Sequence, residues 1–449
     1  MTNMVCSGSD VQVKEAVLIT PSDPTPSHVL RLSAIDSQLF LRFTVEYLLI
    51  YRPPQRAADQ SVIAARLKDV LARALVPYYP LAGRVRARAD GSCLEVVCRG
   101  QGAVFVESTG EYSVSDFERA PRCVTEWRNL LALEVTDVLN GAPPLVMQLT
   151  WLSDGSAALG VGFSHCVCDG IGSVKFLKYF AELAVGCWYD TVYRQPAEFK
   201  PNPLWERQLL DPILPYRLQT SHHPEFNRVP DLCKFLTRFN RDQLTPTSTT
   251  FHESRINKLK SHVSSTSQLD ISILTSFEVL SAHIWRSWAQ ALNFPPQQTL
   301  KLLFSINIRN RVKPSLPNDY YGNAIVLGCA LTTANQLTEN GLGYATELIR
   351  EAKNRVDDGF VREVVDSVSL TRASQVPDSV GVLILSQWSK VGLESVDFGL
   401  GTPVQVSPVC TDKYCILLPV QDHSRSVKSM LAVPSVAVGR YEHLIRTLE

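Results

Sequence analysis

Apolar residues recur along this chain with two different periods. Val11–Ile19 (V-Q-V-K-E-A-V-L-I) alternates apolar and polar positions, the two-residue period of a strand with one wetted face. Stretches 39–51, 145–151, 302–308 and 380–385 also read as strands, with further extended segments at 233–240 and 249–253. Residues 94–98 and 102–107 read as the two arms of a hairpin around Arg99-Gly100-Gln101. Residues 159–163 (L-G-V-G-F) are different: short, uncharged and continuous, as in a strand buried on both faces. Elsewhere the spacing is helical. Val62, Leu67, Val70, Leu71 and Leu75 share one face of a helix over 57–76. Further helices are predicted from Val174 onward and over 256–262, 275–288 and 345–356. Thr275 or Ser276 with Glu278 gives the helix over 275–288 a capping-box signature.

At 449 residues the chain exceeds what one core usually supports. A break falls at 195–228, where prolines stand at 196, 201, 203, 212, 215 and 224 with little periodicity. The expected organisation is a domain over 1–194, a crossover linker over 195–228 and a domain over 229–449. Strands alternating with helices make the class α/β.

Composition acts mainly by exclusion. Hydrophobic residues make up 45% and charged residues 20%, an ordinary globular balance. Lys+Arg and Asp+Glu both number 44, so no whole-molecule field favours nucleic acid or an anionic membrane. The first twenty residues lack a basic segment followed by an apolar one. The longest uncharged run, 320–337, is broken by Gly, Asn and Thr and reads as strand and loop. Eleven scattered cysteines read as reduced thiols. A cytoplasmic protein with no membrane span is expected.

The chemistry concentrates where the buried strand ends. His165 follows it, Asp169 comes four residues later, and Gly170 and Gly172 lead into the helical pattern. A titratable imidazole at the mouth of a strand-to-helix turn is where α/β proteins place reactive groups. H-x-x-x-D alone fits equally well a packed core histidine beside an N-capping aspartate. Cys166 and Cys168 have the wrong spacing for a zinc knuckle, with no second pair, and a nucleophilic cysteine stays open. From residues alone, then, this is an α/β protein with a histidine site.

A set of markers goes further. Leu32-Ser33-Ala34-Ile35-Asp36, Tyr78-Tyr79-Pro80-Leu81-Ala82-Gly83-Arg84 and His165 to Gly170 occupy the first half. The T-S-F-E-V-L segment from Thr275, Asn307-Ile308-Arg309, Tyr321-Gly322-Asn323 and Asp397-Phe398-Gly399-Leu400-Gly401 follow in the second. Together they resemble the plant BAHD acyltransferases, which move an acyl group from coenzyme A to an alcohol or amine. The resemblance spans nearly the whole chain and departs at Leu400, where the family has tryptophan. It implies two similar-sized domains of mixed β-sheet flanked by helices, as in chloramphenicol acetyltransferase, with an active-site channel at their interface. It implies His165 as general base and Ser386 and Trp388 as donors to the oxyanion. It makes Asp169 a structural partner of Arg309, with Gly170, Asp397, Phe398 and Gly399 as scaffold. Ile35, Cys166 and Cys168 are expected to line the pocket. The partners implied are acyl-CoA, as co-substrate rather than resident cofactor, and a small-molecule alcohol, handled by a monomer without a metal. Arg84 and Lys390 are candidates for the coenzyme phosphates.

Three alternatives accompany this reading. One is an acyl- or partner-binding relative without catalysis, another is transfer to an amine. The third is hydrolysis with the same base, for which no G-x-S-x-G elbow is present. Asp169 also admits a triad role, orienting His165.

Overall fold

The computed structural model describes residues 11–53, 59–89, 93–118, 129–131, 138–188, 202–214, 216, 223–232, 244–371, 381–408, 414–420 and 425–447. The segment expected to be extended at 233–240 lies outside these, as do parts of the crossover. The first six-stranded sheet has the order β1-β6-β7-β8-β3-β13: β1 (Val11–Ile19), β6 (Ala103–Gly110), β7 (Leu145–Trp151), β8 (Ala157–Ser164), β3 (Thr44–Tyr51) and β13 (Gln405–Pro408). The second has the order β11-β10-β12-β14-β15-β9. These are β11 (Ile325–Thr333), β10 (Thr299–Asn307), β12 (Val382–Gln387), β14 (Cys415–Pro419), β15 (Val427–Pro434) and β9 (Leu244–Phe251). Both are mixed, with parallel pairs β6–β7, β10–β12 and β12–β14 among antiparallel ones. A small sheet of β2 (His28–Arg31), β5 (Leu94–Cys98) and β4 (Arg84–Ala87) stands apart. Among the described residues no helix is long and apolar enough to cross a membrane.

The halves interlock. β13 comes from the second half of the chain yet pairs with β3 at the edge of the first sheet. Trp388, Phe398, Leu400, Ile416 and Met430 belong to the first core, while Ala34, Ile35 and Leu210 belong to the second. Exchange of core side chains in both directions fixes the two sheets relative to each other, because neither core is complete without the other half.

Several elements differ from the pattern reading, each for a visible reason. Residues 94–98 and 102–107 do not form a hairpin: β5 pairs with β2 and β4, and β6 joins the large sheet. Gly100 and Gly102, with φ of 60° and 96°, turn the chain from one sheet to the other. The strand expected from residue 39 begins at Thr44, after a short turn at Leu39–Leu41. The helix read from Val174 runs Gly170–Trp188, since the Asp169 carboxylate accepts from the Gly172 N–H and caps glycine-rich positions of low helix propensity. The capping box at Thr275 and Glu278 forms as read. Within the crossover, Arg207, Leu210, His223 and Glu225 are buried, while Ile213, Leu214 and Tyr216 are exposed.

Candidate active site

β8 delivers His165 to the space between the halves. Every residue of this strand is buried, between β3 and β7. The His165 N–H donates to Phe43 O at 2.9 Å, which carries the pairing with β3 one residue into the turn. The Phe43 ring lies 5.2 Å from the imidazole, centroid to centroid, and stacks on Tyr414 of the second half.

Asn323 sets the imidazole's tautomer. Its Nδ2 donates to Asp36 Oδ1 at 2.8 Å and to His165 O at 2.6 Å, so its Oδ1 is the atom facing the ring, 3.0 Å from His165 Nδ1. An amide oxygen only accepts, so the proton resides on Nδ1 and the lone pair on Nε2. Burial pushes the imidazole below its ordinary value. The ring's backbone contact, Asp169, Asn323 and Asp36 oppose this without reversing it. His165 is therefore neutral near pH 7, with a free basic nitrogen.

Asp169 does not touch that ring nitrogen. Arg309 grips it from the second half, Nη1 to Oδ2 at 2.8 Å and Nη2 to Oδ1 at 2.9 Å. The Gly172 and Ala324 N–H groups donate to the same carboxylate at 2.9 and 3.0 Å. Burial alone would raise the Asp169 carboxyl, but the guanidinium and these N–H groups outweigh it and hold it low. Gly172 is where the helix meets segment 320–324: a Cβ there would lie 1.9 Å from Tyr321 O. Gly170, at the start of the same helix, faces the Tyr47 hydroxyl and Val391 at 3.7 and 3.8 Å from an added Cβ.

A second buried ion pair lies beneath. Arg207 Nη1 donates to Asp36 Oδ1 at 2.6 Å and Nη2 to Val167 O at 2.6 Å, under the rings of Trp205, Tyr320 and Tyr321. Asp36 thus anchors both the crossover and Asn323. Asp36 and Asn323 lie within the quoted motifs, but their role needed the fold. No pattern flagged Arg207.

Ser386 stands on β12, and Trp388 follows the strand, its N–H donating to Leu417 O. The Trp388 indole N–H donates to Ser386 Oγ at 3.2 Å, and its ring packs on Tyr47, 4.8 Å between centroids. With Oγ accepting from the indole, the serine hydroxyl proton is left to point elsewhere. Just past Ser386 opens a cleft of about 420 Å³, lined by Gln387, Ser389 and Lys390 together with Lys260, Ser276 and Arg425. Arg84 is not part of it. Its Nη1 is occupied by Gly83 O and Gly102 O.

The residues expected to line the pocket are buried in the two cores. Ile35 is fully buried in the second core, because Ser33 and Asp36 close a turn that directs the intervening side chains inward. Cys166 and Cys168 are enclosed in the first core, and burial pushes both thiols up, Cys166 to about 12. Neither is a thiolate at neutral pH, which argues against a cysteine nucleophile. Asp397 Oδ1 accepts from the Gly399 and Gly401 N–H groups at 2.7 and 2.9 Å, both glycines having φ near 86°. Phe398 packs on Phe180 and Tyr51, and Leu400 is buried beside them in the first core. Among the described residues no group of three His, Cys, Asp or Glu is placed to hold a metal.

Known proteins resemble this chain in sequence and fold. Residues 9–446 match the model of the Transferase family. The Arabidopsis thaliana omega-hydroxypalmitate O-feruloyl transferase is 30% identical over 438 residues, covering 96% of this chain and 92% of that protein. The Taxus chinensis taxadien-5-alpha-ol O-acetyltransferase is 31% identical over 436 residues, covering 94% and 93%. Among solved structures, vinorine synthase matches with a TM-score of 0.70 at 18% identity over 96% of each chain. F. sporotrichioides TRI101 complexed with coenzyme A and T-2 matches with a TM-score of 0.73 at 16% identity, over 93% of this chain and 97% of that one. These two share the fold. With its family model matched almost end to end and relatives at 30% identity or more, the chain belongs to the BAHD family of acyl-CoA-dependent acyltransferases.

Proposed function

We propose that this protein transfers an acyl group from a coenzyme A thioester to the hydroxyl of a small-molecule alcohol, with His165 as general base. The observation that carries this reading is the Asn323 Oδ1 contact at His165 Nδ1, which leaves Nε2 unprotonated in a buried, neutral imidazole. An alcohol must lose its proton as it attacks, and a positioned imidazole accelerates that step by about 10²–10⁴. His165 Nε2 accepts the hydroxyl proton, and the alcohol oxygen bonds to the thioester carbonyl carbon. The Ser386 hydroxyl donates to the resulting oxyanion, held in place by the Trp388 indole on its oxygen. The tetrahedral intermediate collapses with cleavage of the C–S bond. The departing thiolate takes the proton from His165 Nε2, which restores the base.

Lys260 and Lys390 offer positive charge in the cleft beyond Ser386, where the phosphates of acyl-CoA would lie, while Arg425 pairs there with Glu253 at 2.7 Å. The coenzyme comes and goes with each turnover, and the working form proposed is a cytoplasmic monomer. Amine transfer is the second reading, since a Taxus canadensis 3'-N-debenzoyl-2'-deoxytaxol N-benzoyltransferase is also 30% identical over 94% of the chain. The deciding experiment is a matrix of acyl-CoA donors against alcohols and amines, followed by thiol release and mass spectrometry. Ester is the product expected, amide would favour the second reading, and free acid alone would mean hydrolysis. His165→Ala should fold and lose transfer; a rate within tenfold of wild type would remove His165 as the base.

A further inference from the structure

Side chains alternate across the second sheet, so each strand shows one set to each face. Leu300, Leu302, Phe304, Leu383 and Leu385 face the helices and form the second core. The opposite face turns toward the first half. On its β14–β15 side, Ile416, Leu418 and Met430 merge with the first core. On its β10–β11 side they do not. There Leu303, Leu327 and Cys329 form a separate apolar cluster, with Val382 and Ile384 of β12 and Phe40 of the first half packed against it. Val382 and Ile384 precede Ser386 at two-residue steps on the same face of β12, and the register sets Ile384 beside Leu303 and Leu303 beside Cys329. Phe40 lies three residues before Phe43, whose ring rests on His165.

We propose that this strip holds the aliphatic body of the acyl acceptor, making the preferred substrates alcohols with an extended hydrocarbon chain. The proposal rests on the acyl-transfer reading and names the substrate class for the same site. Four observations assign the strip to the acceptor. It is continuous with Ser386 and flanked by the Phe40–Phe43 turn beside the base. It lies on the β10–β11 side of Ser386, whereas the cleft proposed for coenzyme A includes Leu417 and Val427 on the β14–β15 side. Val382, Ile384 and Phe40 are only partly covered, so they have surface to offer a ligand. At the far end the strip closes, because the Lys301 ammonium is bound to Pro224 O and Asn227 O of the crossover. From Ser386 to Val382 is four strand residues, about 13 Å. That length matches an extended chain of about ten carbons at roughly 1.3 Å each.

The test uses the full chain, one acyl-CoA that supports turnover, and straight-chain primary alcohols of roughly four to sixteen carbons. kcat/KM should rise two- to fourfold per methylene, as for methylenes moved from water into apolar surroundings. The rise should stop near ten carbons. Val382→Trp should bring the break forward by about three carbons. Ile384→Ser should lower the gain per methylene, which keeps the idea testable if the tryptophan variant does not fold. A flat length profile, faster transfer to polyhydroxylated acids, or an unchanged break in folded Val382→Trp would overturn the strip while acyl transfer stood. Absence of product with every donor and acceptor would overturn both.

Discussion

Removing one partner of the Asp169–Arg309 pair is the most informative single perturbation. The pair is bidentate, with oxygen–nitrogen distances of 2.8 and 2.9 Å, and it joins the first half of the chain to the second. Asp169 is 1% exposed and Arg309 8%, so water cannot replace a lost partner. Arg309→Leu leaves the carboxylate with only the Gly172 and Ala324 N–H groups and removes a donor from Gly322 O. Asp169→Asn leaves a buried guanidinium with neutral acceptors alone, among them Gly322 O and Asn307 Oδ1. Each single change should cost about 3–5 kcal/mol, the usual cost of an uncompensated buried charge. The double variant should cost about 0.5–3 kcal/mol less than the sum, because the second change removes the charge the first exposed. Urea unfolding midpoints of the four proteins measure this. There is a pH signature as well. The Asp169 carboxyl is held below its ordinary value in the fold, so its stabilisation is present above about pH 4, the unfolded value, and is lost as pH falls through the lower folded value. Arg309→Leu should remove that acid limb. Additive costs, or an Asp169→Asn protein of normal stability that loses only rate, would refute the structural assignment and return Asp169 to a triad role.

Three further outcomes follow from the site and its surroundings. Asn323→Ala should lower kcat by about 10²-fold and broaden the pH–rate profile, since the Nε2 tautomer is no longer imposed; an unchanged profile would show that Asn323 only packs. Ser386→Ala should lower kcat by roughly 10–10³ with little change in KM for acyl-CoA, and an effect confined to KM would place the serine in ground-state binding. His223, buried with Nδ1 2.8 Å from Glu225 and Nε2 3.2 Å from Glu363, has a carboxylate on each ring nitrogen; burial lowers its basicity but the two glutamates raise it above the ordinary value. Its stabilisation is therefore full below about pH 6.5 and lost as pH rises through the raised folded value, so thermal unfolding should show an alkaline limb that His223→Gln abolishes.

Local patterns and tertiary geometry divide this protein between them. Periodicity sufficed for β8, the helix at Ser276–Leu292 and its Thr275 cap, because those signals act within a few residues. The H-x-x-x-D stretch was legible in the same way, and its motif set was enough to name the family. Sheet membership was not legible. Residues 94–98 and 102–107 sit close together and enter different sheets, and β13 crosses to the edge strand β3, since pairing depends on which edges the finished cores leave open. Nor was the environment of His165 legible, for Asn323 is 158 residues away and is oriented by Asp36, 287 residues from it. Hydrogen bonds and ion pairs of that separation carry no local signature. A chain can state which groups it owns, but which nitrogen of His165 holds the proton is decided only when two distant segments are packed against each other.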